Sequence, residues 1–253
     1  MMDAAPPAGY VRLSAGRCSV VTLASHAEDA RALLAEGTLY EAAARDLGAR
    51  QLHGRGIVYA IALPISRERV VVRHNRHGGA LADFTGDVFL PPTRAPHELN
   101  VALRLRAAGV RTPEVVMFGL KRVAVILRHA DVMTREIVGG RDLASYLAPN
   151  ESDELRHEAW EATRRLVRSM NAAGARHKDL NVKNVLIAND GGTLAAWTLD
   201  VDRVEWGEPH SEWVQTGNAW RLARSARKWR DERGFVFDEA EIGVLNDDWA
   251  ARL

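Results

Sequence analysis

One stretch restricts what this chain can fold into more than any other: His177-Lys178-Asp179-Leu180-Asn181-Val182-Lys183-Asn184, followed at once by the apolar run Val185-Leu186-Ile187. Upstream of it, Leu155, Ala159, Ala162, Leu166, Val167 and Met170 recur at helical spacing. They predict a helix from about Asp153 to Ala173, with Gly174 as its terminator. Downstream, Trp197-Thr198-Leu199 pairs with Val185-Leu186-Ile187 as a second strand and runs into Asp200-Val201-Asp202-Arg203. The chain is therefore predicted to leave a helix, cross a polar loop and enter a hairpin that ends in carboxylates.

The loop has the spacing H-x-D-x-x-x-x-N, and phosphoryl transfer explains why those residue types are needed. One carboxylate must orient a hydroxyl nucleophile, and a separate amide and carboxylate must hold Mg²⁺ on the phosphates. Asp179 is the candidate catalytic base, a role that typically contributes roughly 10²- to 10⁴-fold. Asn184 and Asp200 are the candidate Mg²⁺ ligands, since both offer the hard oxygen donors that ion prefers. Asn181 is a second candidate catalytic residue, placed to meet the γ-phosphate or to assist the base. Lys178 and Lys183 either neutralise charge or face solvent.

The N-terminal half supplies a plausible partner for such a loop. Tyr10 to Leu23 reads as short strands. Ser25 with Glu28, and Thr38 with Glu41, read as capping boxes opening two short helices that end near Gly37 and Gly48. Strands are predicted on both sides of Gly54-Arg55-Gly56, and again over Arg69 to Arg73. Glycine lets backbone approach phosphate closely, so Gly54, Arg55 and Gly56 are candidate ATP-binding residues, although an ordinary hairpin turn has the same composition. Arg73 closes the third strand, and Glu98 sits early in a helix predicted after Pro96 and ending at Gly109. The two form a candidate pair for the ATP phosphates, with surface charges as the alternative. Two histidines in Arg73 to Gly79 lack a second ligand pair, which favours a basic loop over a metal site. Val115 to Phe118 and Val123 to Leu127 are predicted to pair around a turn at Gly119 to Arg122. Arg128 to Glu136 is predicted to cross between lobes, and Asp142 to Leu147 to form a short helix. A last helix, Asn218 to Arg230, carries Arg221, Arg224 and Lys228 on one side. That side is either a solvated basic face or a surface for anionic lipid.

Composition narrows the class. The chain has 253 residues, 47% of them hydrophobic, enough for one large domain or one domain with two lobes. A formal charge of +1 gives no signature for nucleic acid. The single cysteine, Cys18, excludes an intrachain disulfide and fits a reducing compartment. The start lacks the layout of a signal peptide, and no apolar run approaches the ~20 residues of a membrane-spanning helix, so a soluble, cytoplasmic protein is expected.

Taken together, the loop, the element Leu199-Asp200-Val201-Asp202-Arg203, the stretch Arg73 to Gly79, Leu105 to Val110 before Pro113, and Thr134 to Leu143 resemble the lipopolysaccharide core kinases that act on 3-deoxy-D-manno-octulosonic acid (Kdo). The catalytic loop of that family reads D-L-N and its metal element D-F-D-R. The resemblance spans roughly residues 50 to 230. Val201 departs from it by replacing the usual aromatic residue.

The resemblance implies an α+β, protein-kinase-like fold with two lobes. The N-lobe, residues 1–130, would be a small antiparallel sheet with one main helix, and the C-lobe, residues 131–253, a mainly helical, truncated unit. Together they would form a single catalytic domain over 1–253. It also implies ATP and Mg²⁺ as cofactors, a Kdo–lipid A type glycolipid as substrate, no nucleic acid partner, and peripheral contact with the anionic cytoplasmic face of the inner membrane. A small-molecule or aminoglycoside-type phosphotransferase shares the loop motif and is the alternative enzyme. A nucleotide-binding pseudokinase is the alternative outside catalysis, disfavoured by intact Asp179, Asn184 and Asp200. The few residues between Asp202 and Asn218, with no A-P-E element, argue against a protein substrate.

Overall fold

The computed structural model describes residues 5–53, 56–74, 93–123 and 128–239. The chain divides into two compact units: Met1–Asn100 with Glu114–Glu136, and Val101–Pro113 with Ile137–Leu253.

The first unit is built on a seven-stranded antiparallel sheet. Its strands are β1 (Tyr10–Ala15), β2 (Cys18–Leu23), β3 (Arg50–His53), β4 (Ile57–Ala62), β5 (Arg69–His74), β6 (Val115–Arg122) and β7 (Arg128–Arg135), in the order β1-β2-β6-β7-β5-β4-β3. Helices α1 (Ala27–Ala35) and α2 (Leu39–Arg45) cover it, and α3 (Arg94–Ala107) begins in this unit. Leu33 and Leu39 pack with Val20, Ile61, Val70, Val72, Met117 and Met133 in one apolar cluster. Burying each such side chain contributes on the order of 1.5–3 kcal/mol.

Local chemistry accounts for most of these boundaries. The Thr38–Glu41 capping box forms as predicted, with Glu41 N–H donating to Thr38 Oγ1 at 3.0 Å and Thr38 N–H to Glu41 Oε2 at 2.9 Å. The Ser25–Glu28 box does not form. Ser25 Oγ instead bonds His26 Nδ1 at 2.9 Å, and a 3-10 turn over Ala24–His26 leads into α1. His26 is buried and turns its Nε2 to Glu68 at 2.6 Å, a long-range partner that outcompetes the local cap. Helix α3 starts at Arg94, before Pro96. Proline is tolerated there because first-turn N–H groups have no intrahelical acceptor.

The predicted turn at Gly119 to Arg122 is part of β6, and the predicted crossing segment Arg128 to Glu136 is largely strand β7, paired with β5 and with β6. Residues 124–127 of the predicted partner strand lie outside the described residues. What hides β7 in the sequence is Asp131, a carboxylate 2% exposed in the middle of a core strand. It is satisfied by His74 Nδ1 at 2.6 Å and Tyr40 N–H at 3.1 Å.

In the second unit, α4 (Leu143–Tyr146) follows an Asp142 cap, and α5 (Asp153–Ala172) follows a Ser152 cap. Strands β10 (Val185–Asp190) and β11 (Thr193–Thr198) form the predicted hairpin, with Leu186 opposite Trp197, and β8 (Arg141–Asp142) pairs with the other edge of β10. A separate ladder joins β9 (Ala175–His177) to β12 (Val204–Trp206). Gly174, at φ +69°, lets the chain enter β9, since a Cβ there would lie 2.2 Å from the Gly207 carbonyl oxygen. Helix α6 runs from Glu212 to Arg233, starting six residues before the predicted Asn218. Gly217 lies inside it because a Cβ at that point would meet Arg176 Nε at 2.3 Å.

Candidate active site

His177 ends β9 fully buried and joins the loop to the acidic element. Its Nε2–H donates to Leu199 O at 2.9 Å, and its Nδ1 accepts from Asp179 N–H at 3.1 Å. One ring nitrogen donates and the other accepts, which is the neutral tautomer. Burial pushes its pKa below the usual 6.5, against opposing pulls from the Leu199 carbonyl and from Asp179, Asp200 and Asp202. The consequence for stability has a definite sign. The unfolded chain takes up a proton that the folded ring refuses, so the contribution is full above about 6.5 and is lost as pH falls below it. In denaturant titrations between about pH 7.5 and about pH 5.5, the parent is expected to lose more stability than His177→Gln, which has no ring to titrate. Equal slopes would remove His177 as the cause.

The loop after His177 wraps on itself. Asn184 Nδ2 donates to the Asp179 carbonyl at 2.8 Å, and Asn181 Nδ2 to the same oxygen at 2.9 Å. Asn181 Nδ2 also lies 3.3 Å from Asp179 Oδ1. Asn181 Oδ1 accepts from the backbone N–H groups of Lys183 at 2.9 Å and Asn184 at 3.2 Å. Both amide side chains are therefore oriented by the loop itself, and Asn184 is buried. Leu199 N–H donates to Asn184 O at 2.9 Å, which ties the residue before Asp200 to the loop. Asp200 is exposed and adopts φ 52°, ψ 46°, the left-handed region that few side chains other than Asn and Asp accept.

Asp179, Asn181 and Asn184 share one loop, and the residue before Asp200 is tied to it by Leu199 N–H to Asn184 O and by His177 Nε2–H to Leu199 O. Lys178 bonds Glu205 at 3.0 Å, and Lys183 pairs with Asp142. In the first unit, Arg73 and Glu98 form the ion pair that the sequence suggested, with Glu98 buried at 4% exposure. Gly56 lies at a bend before β4, while Gly54 and Arg55 lie outside the described residues.

Sequence reasoning missed Asn218. Its Oδ1 accepts the His177 N–H at 2.9 Å, and its Nδ2 donates to Ala175 O at 2.8 Å and Asn171 Oδ1 at 2.9 Å. It fastens α5, β9 and α6 at the root of the loop. The only signal was position: Asn218 falls between Val214 and Leu222 on the buried face of α6, where an apolar residue is the norm.

The family model described as lipopolysaccharide kinase (Kdo/WaaP) matches residues 49–251. The chain belongs to that family. The 3-deoxy-D-manno-octulosonic acid kinase of Vibrio cholerae is 29% identical to this kinase over 200 residues, 76% of this chain and 79% of that protein. Its counterpart in Actinobacillus succinogenes is 27% identical over 193 residues, 74% of this chain and 78% of that protein. A solved structure of WaaP in complex with acyl carrier protein matches 81% of this chain and 79% of its own, with TM-score 0.51 and 16% identity. The fold is the expected α+β, kinase-like one, and the chain is a kinase of this family.

Proposed function

We propose that this kinase moves the γ-phosphoryl group of ATP to a hydroxyl of a Kdo sugar in the lipopolysaccharide inner core on lipid A. The observation that carries the reading is the tying of the Asp179 loop to the Asp200 element through His177 and Leu199. Asp179 orients the attacking hydroxyl and accepts its proton. Asn181 steadies the Asp179 carboxylate through the 3.3 Å contact.

The donor set fits Mg²⁺. The Asn184 amide gives its N–H to Asp179 O, which leaves Oδ1 as the donor for a cation, and Asp200 adds a carboxylate. No three His, Cys, Asp or Glu side chains converge among the described residues. A site of one amide and one carboxylate suits an ion that keeps waters and phosphate oxygens. When bound, Mg²⁺ neutralises charge on the phosphates. Arg73, held by Glu98, is the candidate guanidinium for the ATP phosphates, and Gly54, Arg55 and Gly56, the first two outside the described residues, are the candidates for close backbone approach.

The acceptor is a glycolipid, and α6 supports peripheral contact with the anionic cytoplasmic face of the inner membrane. Trp213 and Trp220 are about half exposed, seven residues apart on its outward face, and Arg224 stacks on Trp220 at 5.2 Å. Indole rings flanked by cations suit a headgroup layer. No helix among the described residues is long and apolar enough to cross a membrane.

The test is transfer from radiolabelled ATP with Mg²⁺ to Kdo–lipid A in vesicles, with mass analysis of the product. Phosphorylated Kdo, and co-sedimentation of the protein with anionic but not zwitterionic vesicles, are expected. Transfer to an aminoglycoside alone, or nucleotide binding with no transfer to any acceptor, would overturn the reading.

A further inference from the structure

The β9–β12 ladder ends at His177 and Val204, where β9 passes into the 178–184 loop and a 3-10 turn over Val201–Arg203 leads into β12. Val204 stands opposite His177 and Glu205 opposite Arg176, and Lys178 N–H donates to Arg203 O at 3.1 Å. One backbone hydrogen bond therefore holds Lys178 and Arg203 together just beyond the ladder. His177 and Val204 are buried, whereas Arg176 and Glu205 are partly exposed and Lys178 and Arg203 are exposed. Glu205 is divided between Arg176 at 3.5 Å and Lys178 at 3.0 Å. Arg203 is exposed, and its guanidinium has no carboxylate partner among the described residues. Glu205 thus serves two cations, and Arg203, whose backbone meets Lys178 beside Asp179, brings a third to this edge.

Like charges held close together repel one another. A second anion at this edge offsets that repulsion, and a guanidinium offers a carboxylate two parallel N–H donors. We propose that Arg203, assisted by Lys178, binds the carboxylate of the acidic acceptor sugar and so sets specificity beside the catalytic Asp179. The inference rests on the functional reading above. The same guanidinium chemistry would also suit a phosphate oxygen of the nucleotide, and the test separates the two.

Initial rates are measured for the parent, Arg203→Gln and Arg203→Lys, with a soluble Kdo glycoside and with its methyl ester, at varied ATP. Arg203→Gln is expected to raise KM for the acid about tenfold or more, leave KM for ATP unchanged, and bring the acid-to-ester preference near one. Arg203→Lys is expected to recover part of that preference, because it keeps the charge but not the fork. An unchanged acceptor KM, a rise in KM for ATP alone, or a fall in kcat alone would each overturn the assignment. A parent inactive on every Kdo acceptor would sink the functional reading and this inference with it. An active parent that discriminates acid from ester as strongly as Arg203→Gln does would sink this inference alone.

Discussion

Asp179→Asn is expected to lower phosphoryl transfer by roughly 10²- to 10⁴-fold while ATP affinity stays within about twofold of the parent. The substitution keeps the shape of the side chain and removes the proton acceptor. It also leaves the loop intact, because Asn181 and Asn184 hold the Asp179 backbone carbonyl and not its carboxylate oxygens alone. Single-turnover transfer gives the chemical step and equilibrium titration gives nucleotide binding. Undiminished transfer would take Asp179 out of the mechanism. Weakened ATP binding with normal turnover of the bound complex would reassign it to the nucleotide.

Asp200 predicts a different pattern. Asp200→Asn should cut Mg²⁺-supported transfer by about 10³-fold, in line with the several kcal/mol a metal contributes to charge stabilisation. Nucleotide binding should lose its dependence on Mg²⁺ at the same time. Asp200→Gly separates this loss from damage to the fold. Glycine relaxes the positive φ of that residue but frees the unfolded chain, and the two effects oppose. Its stability is expected within about 1 kcal/mol of the parent while transfer collapses. A retained Mg²⁺ dependence in either variant would move the metal elsewhere, and a large loss of stability in Asp200→Gly would make the defect structural.

The parts of this molecule that could be read from its sequence are those held by near neighbours. The loop between His177 and Asn184, the β10–β11 hairpin, helix α5 and the Thr38 cap all depend on contacts a few residues apart, and all occur as predicted. What escaped depends on partners far along the chain. Strand β7 carries Asp131, whose acceptable burial requires His74 and Tyr40 from other elements, so its apolar pattern looked broken. The Ser25 cap lost to a link between His26 and Glu68. Helix α6 begins at Glu212 rather than Asn218, and Gly217 lies inside it because Arg176 is placed across that position. Asn218 itself looks like an ordinary polar residue, and its hold on His177 spans 41 positions.

The chain passes from Arg203 directly into β12 and α6 starts at Glu212, so among the described residues no long flap follows the Asp200 element. Enzymes with such a flap throttle themselves by ordering or releasing it. Here the 178–184 loop runs between two paired strands, β9 and β10, so its geometry is expected to hold without an ordering step in the segment that follows Asp200.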